Sequence, residues 1–158
     1  MTGSATAAPN AAVPSPVLTA SRLWLVAVAA GVFETVLAVA DLLAEGTTAP
    51  GEIVSAVGVR LVVFAVAVYL VGWLRRGRNW ARLTLAAMLG VIGTVTLLIN
   101  PIQSLLQGHD PVAALAGLTL AEWLFTASRI VHLGAVVAAM VLMFRPAANT
   151  YFRRDRQR

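Results

Sequence analysis

The residues able to do chemistry in this chain lie inside apolar runs. Glu34, Asp41 and Glu45 follow one another in the first run; Arg60 interrupts the second. Glu122, Thr126, Arg129 and His132 fall in the last. On a helix turning about 100° per residue, the three acids share one face with Ala27, Ala30 and Ala38. Glu122, Thr126 and Arg129 make a similar stripe, with His132 one turn on. Such groups can pair as ions, relay a proton or line a polar cavity for an ion or small ligand. A lone charge within a membrane span costs at least about 2.5–3.5 kcal/mol and faces the bundle interior or water.

Depth sharpens the expectation. At ~1.5 Å per residue from the cytoplasmic span ends, Glu34 lies at ~15 Å, His132 at ~18 Å, Arg60 at ~21 Å, Arg129 at ~22 Å and Asp41 at ~26 Å. An antiparallel bundle brings these levels together, with Glu122 near the outer rim. The first reading is a structural charge network that fixes helix packing. The second is an ion or proton site built on Glu34, Asp41, Arg60, Glu122, Arg129 and His132. No metal-ligand spacing occurs, and His109 falls in a loop remote from His132. Neither a metal nor b-type haem is expected. No nucleophile–base pair or phosphate loop points to an enzyme, and no cofactor is expected.

Four spans must position these groups. They run from about Leu23 to Leu43, Ile53 to Leu74, Trp80 to Asn100-Pro101 and Leu118 to Phe144. Each has the roughly 20 apolar residues a crossing needs. Pro101 is expected to stop the third helix, and Asn79 to cap its start. The run Gln107-Gly108-His109-Asp110-Pro111 signals a turn. The third span lines Ala86, Gly90, Gly93 and Asn100 along one face, allowing close helix approach. Residues 1–20 carry no charge and read as a disordered tail. Ala38-Val39-Ala40 resembles a signal cleavage site, but the preceding segment has only Arg22 as a basic residue and Glu34 breaks the apolar run.

Composition agrees. Of 158 residues, 59% are hydrophobic and 12% charged; soluble domains carry about 25% charge. The absence of cysteine excludes thiol chemistry. All 12 basic residues are Arg, and the net charge is +5. All but Arg60 and Arg129 lie at alternate junctions, so the excess speaks for orientation and anionic lipid rather than nucleic acid. Arg22 precedes the first span; Arg75, Arg76, Arg78 and Arg82 follow the second; Arg145, Arg153, Arg154, Arg156 and Arg158 follow the fourth. The other two loops hold Glu45, Glu52 and Asp110. Both chain ends are therefore expected in the cytoplasm. Trp24, Trp73, Trp80 and Trp123 are expected as interface anchors. Arg75, Arg76, Arg78, Arg82, Arg145, Arg153 and Arg154 are the candidate headgroup contacts.

Two segments carry a resemblance. Gly77-Arg78-Asn79-Trp80-Ala81-Arg82 and Arg145-Pro146-Ala147-Ala148-Asn149-Thr150-Tyr151-Phe152 resemble runs in uncharacterised actinobacterial small four-span integral membrane proteins. The resemblance covers roughly residues 20–153. It implies a four-span layout and a bacterial plasma membrane, and brings no activity. A looser similarity links Glu34 to the embedded Glu of small multidrug transporters, which lack arginines like Arg60 and Arg129.

The expected fold is all-α: a transmembrane up-down four-helix bundle over residues 21–146, with a disordered tail at 1–20 and a basic cytoplasmic tail at 147–158. The expected role is a non-enzymatic accessory or interaction protein of the plasma membrane. Its partners would be the bilayer, anionic headgroups and a membrane protein or second copy, with no nucleic acid. The alternative is a small ion- or proton-coupled transporter using Glu34.

Overall fold

A computed structural model describes residues 13–108, 110 and 117–154, Arg154 by its backbone alone. Residues 1–12 of the expected tail, His109, Pro111, Arg156 and Arg158 lie outside it. The described chain is helical and has no strand. Four helical stretches are long and apolar enough to cross a membrane. They are α1 (Ser15–Glu45), α2 (Pro50–Arg75), the stretch Asn79–Leu106 and α5 (Leu120–Met143). The third comprises α3 (Asn79–Leu85), a π-helical segment (Ala86–Gly93) and α4 (Thr94–Leu106). A short α6 (Pro146–Arg154) follows. This is a multi-pass membrane architecture.

Local chemistry sets the helix ends. Gly46, at φ 65°, closes α1 in the left-handed region. Pro50 opens α2, where its missing N–H costs nothing. Gly77, at φ 81°, turns the chain into α3. Thr119 opens α5 with a reciprocal cap: its hydroxyl accepts from the Glu122 amide, while Glu122 accepts from the Thr119 amide at 2.7 Å.

Four sequence expectations need correction. α1 starts at Ser15, so residues 15–20 belong to the bundle. Val17 and Ala20 are fully buried there; an uncharged Ala-rich segment can extend a helix when its apolar face finds a partner. Pro101 does not stop the third span, which runs on to Leu106; transmembrane helices tolerate proline where local adjustment re-satisfies the backbone. Asn79 is the first helical residue of α3, and the capping position is Arg78, without a side-chain cap. Trp24 is no interface anchor: it is fully buried and its indole N–H points at Met143 Sδ, 3.3 Å away. Trp80 and Trp123 are exposed, as anchors should be.

The helices close into a ring: α1 packs on α5 and α2, α2 on α3, and the π-helical segment on α5. Gly90 permits the last contact, since a Cβ there would come within 2.5 Å of Met140 Sδ. The core gathers at the end that holds the start of α1 and helix α6, here the basal end. Val17, Trp24, Leu74, Leu85, Met143 and Phe152 are all buried there. Toward the far end packing thins. The buried residues of α2 begin only at Ala67, and α4 has none.

Candidate functional site

Where packing thins, one acid is still buried. Glu34 of α1 is 7% exposed. It sits on the α1 face that also buries Ala20, Trp24, Ala27 and Gly31 against the neighbouring helices. Two side chains of α5, one turn apart, reach its two oxygens. Arg129 Nε lies 3.8 Å from Oε2, and His132 Nδ1 lies 3.3 Å from Oε1. A carboxylate only accepts when ionised, and the Nδ1–H tautomer of His132 is the one that donates to it.

The surroundings hold the cluster in place. The Arg129 guanidinium stacks over the Phe125 ring, 4.7 Å from its centroid. Ser128 donates to the Ala30 carbonyl at 3.4 Å, a second tie between α1 and α5. Gly31 makes room for the imidazole: a Cβ there would lie 3.3 Å from His132 Cε1 and 2.9 Å from the Phe64 ring. Thr35 turns its hydroxyl back onto the Gly31 carbonyl at 2.8 Å. One donor remains unserved: Arg129 Nε is buried without a hydrogen-bond partner, since 3.8 Å is too long for one.

The other expected members stand apart. The Gly31–Phe64 contact sets the register of α1 against α2. Arg60 lies one turn beyond Phe64, and Glu34 one turn beyond Gly31, so both are at the same level. Arg60 also falls on the seam spacing of Ile53, Val57, Phe64, Ala67, Val71 and Leu74. Yet it is exposed, although Val57 and Phe64 on either side of it are half-buried. Asp41, about 10 Å farther along α1, is exposed too. Among the described residues no ion pair joins either to Glu34. Glu122 belongs to the α5 cap and not to the charge cluster. The sequence signal for that was present, in the Thr119-x-x-Glu122 spacing.

The basal arginines also divide. Arg75, Arg76, Arg78, Arg145 and Arg153 are exposed. Arg76 and Arg78 lie over the Trp73 ring at 4.8 and 5.8 Å. Arg82 is not on that open face: it is 6% exposed, between the rings of Phe144 and Phe152 at 4.2 and 5.0 Å. Its Nη2 donates to Asn149 Oδ1 at 2.6 Å. Helix α6 is correspondingly docked, with Ala148 and Phe152 buried and Tyr151 donating to the Arg75 carbonyl at 2.9 Å.

No group of three or more His, Cys, Asp or Glu able to hold a metal occurs among the described residues. The Glu34 cluster can neutralise charge across α1 and α5, and can exchange a proton between carboxylate and imidazole. Comparisons with protein-family models, curated proteins and solved structures return no match to the chain.

Proposed function

We propose that the protein is a non-enzymatic accessory or interaction protein of a bacterial plasma membrane, with Glu34, Arg129 and His132 as its internal clamp. The observation that carries this reading is the pairing of a buried Glu34 with two partners on one facing helix. A carboxylate satisfied within its own helix pair acts as a packing device. The thinly packed far half leaves long apolar faces of α2 and α4 for lipid or neighbouring helices. The arginine excess at the basal end supports cytoplasmic termini and contact with anionic headgroups.

The exposure of Arg60 at the level of Glu34 favours a second reading, a small ion- or proton-coupled transporter opening from the far end. Melting and liposome flux separate the two. A clamp predicts that Glu34→Gln lowers the melting temperature and leaves proton flux at the lipid background. A transport site predicts an intact fold and loss of a flux that the wild type shows.

A further inference from the structure

We propose that the cleft between the start of α3 and α6 binds the phosphate of an anionic membrane lipid. This deepens the headgroup contact inferred for the basal end and is independent of the Glu34 clamp. The cleft has a volume of about 240 Å³ and is lined by Asn79, Arg82, Asn149, Phe152 and Arg153. That is below the ~300–1,000 Å³ of pockets for drug-sized ligands. It suits a headgroup phosphate rather than a whole small molecule.

The charge of Arg82 supplies the reason for a ligand. Its guanidinium is buried between two aromatic rings, and no carboxylate pairs with it among the described residues. Among the described residues its side chain donates to the neutral Asn149 amide, and its Nε meets no partner. A buried cation without a counter-ion is costly. Asn149 is itself held, its Nδ2 donating to the Phe144 carbonyl at 3.1 Å, so its oxygen stays on Arg82. An oxyanion in the cleft would neutralise Arg82, with exposed Arg153 as a second cation beside it. Planar guanidinium groups match phosphate oxygens. The location names the source. The cleft lies at the start of a span, its lining residue Asn79 next in sequence to exposed Trp80, at the level where headgroups lie.

The test uses the full chain in a neutral detergent, titrated separately with short-chain phosphatidylglycerol, short-chain phosphatidylcholine and inorganic phosphate. Retained ligand is read by native mass spectrometry, and affinity by tryptophan fluorescence. One phosphatidylglycerol should bind saturably, and phosphatidylcholine more weakly. Arg153→Gln, at an exposed position that does not threaten the fold, should weaken phosphatidylglycerol binding about tenfold. Arg22→Gln, a basal arginine outside the cleft, should change it less than twofold. Equal affinity in Arg153→Gln and wild type would overturn the site. So would an equal loss in Arg22→Gln, which would mean diffuse attraction. Tighter binding of inorganic phosphate than of the lipid would overturn the lipid assignment.

Discussion

Glu34 is the residue on which the internal charge balance turns. Its two oxygens are each spoken for by α5, so removing either side strands a charge. Breaking a buried pair costs about 3–5 kcal/mol; the partial exposure of Arg129 puts the expected loss below that range, at roughly 2–3 kcal/mol. Arg129→Gln and Glu34→Gln should each lower the melting temperature in detergent, and the double variant should recover part of the loss. Additive effects near zero in that cycle would remove the clamp. Gly77 makes a sharper single-residue case. It needs a positive φ of 81°, and a Cβ would press on the Tyr151 ring at 3.1 Å. Gly77→Ala should cost about 1–2 kcal/mol and raise protease sensitivity at α6. Unchanged proteolysis would show that α6 docks without that turn.

At the scale of elements, the first turns of α1 and helix α6 are structural. Val17 and Ala20 put the first turns of α1 into the core, and Phe152 pins α6 beneath Arg82. Truncation through residue 20 should therefore lower the melting temperature rather than leave it unchanged. A buried phenylalanine reduced to alanine typically costs about 3–5 kcal/mol. Phe152→Ala should approach that figure in a melting assay and release α6 to proteolysis. Wild-type melting in both variants would mean that neither the start of α1 nor α6 holds the bundle.

The whole molecule is tight at its basal end and thinly packed beyond Glu34. That asymmetry decides how its orientation is tested. Gly77 is a poor site for a reporter cysteine, because both its φ and Tyr151 demand glycine. Arg76 and Gln107 are exposed and lie at opposite ends of the third span. With cytoplasmic termini, an impermeant thiol reagent added to intact cells should label Gln107→Cys and spare Arg76→Cys. The reverse pattern would invert the molecule in its membrane.

The class, the four spans and the crowding of arginine at alternate junctions are legible in the sequence alone. Those follow from composition and run length, which a bilayer reads directly. The sequence also puts Glu34, Arg129 and His132 at compatible depths, because helical rise is fixed. Which charges meet depends on how the helices pack. Arg60 shares the level and the seam of Glu34 yet is exposed and outside the cluster, since a shared depth does not by itself make a contact. Arg82 carries the same charge as its exposed neighbours, but α6 folds back over it and makes it interior. The start of α1 was illegible for a related reason. An uncharged Ala-rich segment has too little apolar surface to declare itself, and becomes helical where the packed bundle offers its Val17–Ala20 face a partner.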